Sequence, residues 1–313
     1  MQSQLSAIAL GVVLACASQF ASAQSVVTLT QQGNGNTAFT EQLPASPSAS
    51  LNATITQIGD NNHVGGPGGT TDGIRQLNIA GPVFVDVLQK GTGNNAGVTQ
   101  DKVGGVPTFD RITQLGNTNS ATLRLLASSD LYAYIDQAGN GNVINALQVT
   151  AGTGELHSIQ NGDANRTTVF QRSTAYSGPY IEQNGDGNVA SVYMDGAVFG
   201  GTGIRQIGTQ NSADTVQTDS DESGISIDQL GVGNQASANL HGSASELDDN
   251  DRIEIHQNGL GNHAKVIQTG VRNLVTIGQL GNANTALVSQ AGQDWVAHVS
   301  QIGNGNWTNI YQH

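Results

Sequence analysis

The chain has 313 residues, including 41 Gly and 6 Pro, and only 11% of its residues are charged, against roughly 25% in an average globular protein. Its apolar residues are mostly Val, Ile, Leu and Ala. These side chains are too small to fill a thick core, so we expect burial in thin layers. The net charge of −13 argues against nucleic-acid binding, because phosphate recognition needs a basic surface.

Residues 1–23 are predicted to be a secretory signal peptide. An apolar run from Ile8 to Ala15 is followed by small residues at Ala21 and Ala23, which fit cleavage before Gln24. No Lys or Arg precedes the run. No other apolar stretch approaches the ~20 residues that a membrane span needs, so we predict a secreted, extracellular chain without a membrane span.

Cys16 is the only cysteine and lies inside this leader. A chain cleaved after Ala23 would therefore contain no disulfide. The run that ends at Cys16 also loosely resembles a bacterial lipoprotein cleavage box, which leaves lipidation of Cys16 open.

From residue 24 onward one unit recurs: Gln, any, Gly, any, any, Asn, any, small, any, apolar, any, Gln. It occurs twelve times. The leading glutamines are Gln31, Gln57, Gln89, Gln114, Gln137, Gln160, Gln183, Gln206, Gln229, Gln257, Gln279 and Gln301. The glycines two positions later are Gly33, Gly59, Gly91, Gly116, Gly139, Gly162, Gly185, Gly208, Gly231, Gly259, Gly281 and Gly303. The asparagines five positions after Gln are Asn36, Asn62, Asn94, Asn119, Asn142, Asn165, Asn188, Asn211, Asn234, Asn262, Asn284 and Asn306.

The spacing of the units is regular over most of the chain. From Gln114 to Gln229 every interval is 23 residues, and the last three intervals are 28, 22 and 22. A degenerate unit around Gln76 lies in the wide gap between Gln57 and Gln89. Residues 24–313 are therefore predicted to form a single repeat domain of about 12–13 units that extends from Gln31 to Gln312.

Each unit is predicted to be strand, turn, strand. Two residues before the leading Gln, eleven of twelve units have an aliphatic residue, the exception being Ser158. Seven residues after the Gln, eight units have Ala, and four residues later eight have a second Gln. This alternation with period two is typical of strands. Between the strands, Gly and Asn tolerate the positive φ that a tight reversal requires.

A lone hairpin is only marginally stable in water, so the units must stack. At a rise of about 4.8 Å per rung, Ile would lie over Ile and Gln over Gln. Stacked side-chain amides would then donate and accept along the stack, which removes a burial penalty of roughly 1–3 kcal/mol for each polar group. The predicted fold is an all-β solenoid of stacked strand-turn-strand rungs.

The repeat resembles that of the curlins, the subunits of bacterial curli fibres. The resemblance covers nearly all of residues 25–312, and the unit from Gln89 to Gln100 follows the family pattern at each key position. The resemblance implies a cross-β functional amyloid of the biofilm matrix, with a dedicated secretion pore and a surface-bound nucleator as partners. The chain departs from the family in having twelve units instead of about five, in its long spacers, and in lacking a separate secretion segment, which puts use of that pore in doubt.

Other candidate sites have simpler interpretations. His256 and His263 flank one turn but occupy positions that do not repeat, so exposed spacers are favoured over a metal site. Calcium binding at the turns would need regularly repeated Asp ligands, and Asp60, Asp163 and Asp186 are only occasional. Acidic runs at 219–222 and 246–251 are interpreted as solvated spacers. Trp295 and Trp307 are interpreted as packing residues.

The sequence predicts a fibre subunit that is not an enzyme and uses no cofactor or metal. Its main partner would be itself, and the ordinary final unit, Gln301 to Gln312, favours the major subunit over the nucleator. The alternative is a secreted monomeric solenoid that binds carbohydrate or a surface. That function predicts a uniform outward row of Thr or aromatic residues, whereas the positions before the leading Gln vary, as at Asp136, Glu182 and Arg205.

Overall fold

The repeat unit folds into one rung of two strands, and the computed structural model describes these rungs over residues 24–66, 71–104, 108–242 and 250–313. The first strands of rungs 1 to 12 are Gln24–Gln32, Ser50–Ile58, Pro82–Lys90, Thr108–Asn117, Ser129–Asn140, Gly152–Asn161, Gly178–Asn184, Gly201–Thr209, Gly224–Val232, Arg252–Leu260, Leu274–Asn282 and Val296–Ile302. The second strands are Thr37–Ala38 with Thr40–Pro44, His63–Val64 with Ile74–Ile79, Asn95–Asp101, Ser120–Leu126, Val143–Val149, Arg166–Arg172, Val189–Asp195, Ser212–Thr218, Gln235–His241, His263–Val271, Thr285–Gln293 and Trp307–Gln312. The predicted signal peptide and Cys16 lie outside the described residues.

The strands build two parallel sheets that face each other. The twelve first strands pair in chain order in one sheet, and the second strands pair in chain order in the other. Register places equivalent positions together, as where Gln183 pairs with Gln206 and Ile181 with Ile204. The predicted all-β solenoid of strand-turn-strand rungs is confirmed.

Rung 2 explains the wide gap in the repeat. Its second strand is split into His63–Val64 and Ile74–Ile79, and both pieces pair with Asn95–Asp101 of rung 3. Gln76 lies beside Gln100, where the second Gln of a unit belongs. The degenerate unit is therefore the displaced second half of rung 2, and the described stack has twelve rungs.

The arch that leads from one rung to the next has two forms. In the 23-residue units it uses one left-handed residue, as at Thr150 with φ 48°, or two, as at Ser173 and Tyr176, each with φ near 51°. In the first 22-residue unit near the C-terminus the arch repeats the Gln-x-Gly-x-x-Asn motif itself, with Gly270 at φ 119°, and in the second unit Trp295 occupies the Asn position. There Asn273 donates to the Gly292 carbonyl at 3.0 Å. The one-residue difference in spacing thus reflects a change of arch, since the two strands and the first turn keep the same pattern.

The core is the thin layer between the two sheets. Strand alternation directs every second side chain inward, so Ile112, Ile135, Ile181 and Ile204 form part of one buried column. Ala121, Ala190 and other small residues face them from the second sheet. The inward glutamines lie within this same layer, which gives a narrow interior with alternating apolar and amide columns.

Candidate functional site

The leading glutamines form one continuous ladder along the stack. In each of eleven steps the side-chain Nε2 donates to Oε1 of the Gln in the next rung, over 2.6–2.9 Å. The ladder begins at Gln31 and ends at Gln301. The same Nε2 usually makes a second bond to a carbonyl of the preceding rung, as Gln206 does to Val189 at 2.9 Å. Each buried amide is thereby satisfied, which removes the penalty that burial would impose.

The turn asparagines form a second continuous ladder. The Oδ1 atom of each Asn accepts the backbone N–H of the Asn in the next rung, as between Asn188 and Asn211 at 3.0 Å. The Nδ2 atom donates to the carbonyl of the glycine in that rung, as from Asn188 to Gly208 at 2.8 Å. These bonds join side chain to backbone, so they hold the turns of neighbouring rungs in register as well as satisfying the amides.

The glycine two positions after the leading Gln is required by close packing between turns. All twelve have positive φ, between 108° and 130°. A Cβ added at Gly231 would lie 2.1 Å from the Gly259 carbonyl oxygen of the next rung. No side chain fits there, because contacts under 3.0 Å do not occur between such atoms.

A third ladder runs along the tips of the turns, three residues after the leading Gln. The backbone N–H of Asn140 donates to Asp163 Oδ1 at 2.7 Å, and that of Asp163 donates to Asp186 Oδ1 at 2.8 Å. The position holds Asn or Asp in eight units: Asn34, Asp60, Asn117, Asn140, Asp163, Asp186, Asn282 and Asn304. This ladder is not among the features predicted above from the sequence, although the frequency of Asn and Asp at this position is a usable signal.

The second glutamines form only short ladders. Gln42, Gln76 and Gln100 are joined at 2.7 and 2.9 Å, and Gln290 donates to Gln312 at 2.7 Å. The series is interrupted where the equivalent residue is Leu125, Met194 or Leu240. The amide columns of the two sheets are therefore not equivalent, and only the first runs through all twelve rungs.

The two end rungs present strands that have a neighbour on one side only in the described stack. At the last rung Ile302 is 74% exposed, Trp307 66% and Tyr311 69%. The end strands Gln24–Gln32, Val296–Ile302 and Trp307–Gln312 contain no Lys, Arg, Asp or Glu. Charged or proline-containing edge strands are the usual protection against edge-to-edge pairing, and these three strands lack it.

The outward faces carry pairs that also repeat between rungs. Arg205 contacts Asp228 at 3.3 Å and Arg272 contacts Asp294 at 2.8 Å, and the latter bond holds the pKa of Asp294 below its usual value. Such exposed ion pairs contribute little stability. They nevertheless place opposite charges beside each other wherever rungs stack in register.

Aromatic residues stack on the outside as well. Phe84 and Phe109 lie 4.5 Å apart with planes 7° from parallel, and Tyr132 follows at 6.1 Å. Tyr176 and Phe199 form a similar pair at 4.8 Å. These rings stack face to face along the stack, so each ring has at least one face turned to an aromatic neighbour.

The remaining candidates are dispersed. His256 lies on the first sheet and His263 on the second. The Asp60 carboxylate accepts the Asn34 backbone N–H at 2.7 Å as part of the turn ladder. Trp295 donates to the Ala291 carbonyl at 3.2 Å. Across the described ranges no group of three or more His, Cys, Asp or Glu could hold a metal ion.

Among the residues that the structure describes, no helix is long and apolar enough to cross a membrane.

Comparison with known proteins finds a family match in the C-terminal rungs. The model of the curlin associated repeat matches residues 261–292 and 270–303. No curated protein matches the chain. The matched segment is the 22-residue part of the stack, where Gln268 to Asn273 repeats the turn motif in the arch. The 23-residue rungs keep the same strands and first turn with a different arch.

Proposed function

We propose, from the match of residues 261–303 to the curlin associated repeat, that this chain is the major subunit of an extracellular, curli-like amyloid fibre. Copies would stack end to end and serve adhesion and biofilm cohesion. The proposal rests on the ladder of leading glutamines, because a ladder with a fixed direction has complementary ends. It assigns no catalytic residue.

The direction of the hydrogen bonds determines how copies would join. In every step the donor Nε2 belongs to the earlier rung and the acceptor Oε1 to the later one. Gln301 of one copy would therefore donate to Gln31 of the next. In the same register Asn306 would donate to the Gly33 carbonyl, and its Oδ1 would accept the Asn36 backbone N–H.

The apolar columns continue across the same junction. With Gln301 over Gln31, Val299 lies over Leu29 and Ala297 over Val27, which are all inward positions of first strands. Leu29 and Val27 are partly buried and already pack against the core. Stacking on another copy would complete their burial and also cover one side of the outward rings of Trp307 and Tyr311, so apolar burial and amide bonding favour the same register.

The further partners follow from the resemblance to curlins. We propose that a nucleator subunit at the cell surface starts the fibre and that a dedicated outer-membrane pore exports the chain after signal-peptide cleavage. The role of major subunit is supported by the last rung, where Gln301, Asn306 and Gln312 keep the ordinary ladder bonds.

A monomeric solenoid that binds carbohydrate is the second candidate, and the row of Phe84, Phe109 and Tyr132 is the observation in its favour. Sugar rings stack on the faces of aromatic side chains. In this row both faces of Phe109, and one face each of Phe84 and Tyr132, are turned to neighbouring rings. The row therefore supports rung stacking better than it supports sugar binding.

The test is assembly of purified residues 24–313 at neutral pH, followed by thioflavin fluorescence and electron microscopy with and without fibre seeds. We expect seeded growth of fibres with a meridional spacing of about 4.8 Å. Monomers that stay soluble for days in the presence of seeds would overturn the proposal and favour the binding module.

A pair of variants tests the junction itself. Val299→Lys places an ammonium group in the inward column of the last rung, and Ser300→Lys places the same charge one residue away on the outward face. Burying an unpaired charge costs several kcal/mol, so seeded elongation should fall at least about tenfold for Val299→Lys and change little for Ser300→Lys. Equal elongation rates for the two variants would contradict the end-to-end junction.

A further inference from the structure

At one interruption of the second glutamine ladder, the last Gln donates to a buried carboxyl group instead of to another Gln. Gln76 donates to Gln100 at 2.9 Å, but the next rung has Leu125 where another Gln would accept. Gln100 instead reaches across the core, and its Nε2 donates to Asp110 Oδ2 at 2.5 Å. Asp110 belongs to the opposite sheet, on the first strand of rung 4, so the short ladder ends on a carboxyl group.

Asp110 occupies an inward position that is otherwise free of ionisable residues. It is 2% exposed, and it lies in register between Val85 of rung 3 and Ala133 of rung 5. The equivalent residues of the other rungs are Val27, Ala53, Val85, Ala133, Leu156, Pro179, Thr202, Ile225, Ile253, Val275 and Ala297. A carboxylate at this point has an apolar residue above and below it along the stack.

No charged group faces Asp110 from the strands packed against it, among the described residues. The buried inward side chains of those strands are Ile74, Gln76, Val83, Val85, Val87, Gln89, Ala96, Val98, Gln100, Ala121, Leu123, Leu125, Leu131, Ala133, Ile135 and Gln137. The nearest charged neighbours in register, Asp86 and Arg111, alternate to the outward face. A negative charge on Asp110 would thus be balanced by neutral donors alone.

We propose that Asp110 is a proton-dependent switch in the core, which keeps rungs 3 to 5 firmly stacked at mildly acidic pH and loosens them as the pH rises. In the acidic state the neutral carboxyl group fits the apolar column and still accepts from Gln100. In the ionised state the carboxylate must remain buried without a cationic partner, which is costly.

The direction of the effect follows from the protonation equilibrium. Burial raises the pKa of Asp110 from 3.8 to about 7, and the hydrogen bond from Gln100 and the nearby Ala133 backbone lower it by less. The folded chain therefore binds this proton more tightly than the unfolded chain does. The stabilisation is fully present below pH 3.8, and it is lost as the pH rises towards and through 7.

The experiment compares the unfolding of monomeric residues 24–313 with that of the Asp110→Asn variant in urea, from pH 4 to pH 9. Asn has nearly the shape of the neutral acid and retains an acceptor for Gln100. The urea midpoints of the two proteins should be close at pH 4. As the pH rises to about 8, the midpoint of the variant should increasingly exceed that of the unchanged chain. Parallel midpoint curves over the whole range would overturn the proposal.

Controls separate this group from other titrating residues. Asp86→Asn changes an outward carboxylate on the neighbouring strand and should leave the pH profile as in the unchanged chain. The second buried acid, Asp251, accepts from Gln268 and the Asn273 backbone and is common to all variants, so its contribution cancels. If Asp110→Asn does not fold, Asp110→Val serves instead, since it copies Val85 and also cannot titrate.

Hydrogen exchange gives a local readout. After correction for intrinsic rates, amides of 108–117 and 129–140 should lose protection between pH 5 and pH 8 in the unchanged chain and keep it in Asp110→Asn. Equal loss in both proteins would contradict the switch. The monomer measurements do not depend on fibre formation, so they can succeed or fail independently of the proposed function.

Discussion

The side-chain amide of Gln183 donates to Oε1 of Gln206 at 2.8 Å, although 23 residues separate the two in the chain. Both side chains are fully buried. Gln206 repeats the bond to Gln229 at 2.8 Å. The donor and acceptor of each Gln in this ladder are therefore bonded to the equivalent Gln of the next and the preceding rung. A substitution at one rung removes hydrogen bonds from the rungs on both sides as well.

Gln206→Met is expected to destabilise the stack by about 2–4 kcal/mol, because it leaves Gln229 Oε1 buried without its donor and removes the acceptor of Gln183. The measurement is urea unfolding of the monomer. The matched control is Met194→Gln, the reverse change in the other sheet, where register places the new amide between Gln171 and Gln217. This control should leave stability unchanged or raise it. If Gln206→Met lowered the free energy of unfolding no more than Met194→Gln does, the ladder would not contribute to the stability of the stack.

Gly231→Ala is expected to be the more harmful of two alanine substitutions in the same turn. The new Cβ would lie 2.1 Å from the Gly259 carbonyl oxygen, so neighbouring turns would have to separate, at a cost we place above 3 kcal/mol, roughly that of severe core overpacking. At Gly233 φ is +65° and nothing lies within 4 Å of the added atom. Gly233→Ala should cost only about 1 kcal/mol, the left-handed backbone penalty. Similar losses at both sites, measured by thermal and urea unfolding, would show that packing between turns is not limiting.

Asn188→Asp is expected to destabilise the protein by about 2–4 kcal/mol, since it replaces the donor to Gly208 with a buried negative charge. Asn117→Asp is the control, because Asn117 is exposed on the turn-tip ladder and Asp163 and Asp186 show that Asp fits that ladder. Its effect should be below about 1 kcal/mol. Chemical denaturation of the two variants compares the loss of unfolding free energy in the buried asparagine ladder with that in the exposed turn-tip ladder. A larger loss for Asn117→Asp than for Asn188→Asp would contradict the prediction.

Ser158→Val is expected to stabilise the protein by about 1–2 kcal/mol through added apolar burial. Ser158 is the one polar residue in a column of aliphatic residues, fully buried between Ile135 and Ile181. Its hydroxyl has no hydrogen-bond partner among the described residues. The opposite change in the next rung, Ile181→Ser, should cost about 2–5 kcal/mol. A lower melting temperature for Ser158→Val would show that the column has no room for the two methyl groups at this rung.

The inward columns and turns could be derived from the sequence because each rung is surrounded by copies of itself. When the neighbour above Ile181 is another aliphatic residue and the neighbour above Gln183 is another Gln, local periodicity already describes the long-range contacts. The period of two fixed which residues face inward, and Gly with Asn fixed the turn. The fold class followed from these patterns without knowledge of any distance.

Where the repeat is broken, the arrangement depends on contacts that the repeat pattern does not describe. The place of Gln76 in rung 2 depends on how the chain returns to register after an insertion, and the bond from Gln100 to Asp110 depends on Leu125 interrupting a ladder in the opposite sheet. Neither relationship follows from spacing along the chain, because each arises between residues of different rungs and sheets whose positions are fixed by the packing of the whole stack. The repeat pattern thus accounts for the rung, and the register between rungs and sheets accounts for the exceptions, among them the buried carboxyl group on which the proposed proton dependence rests.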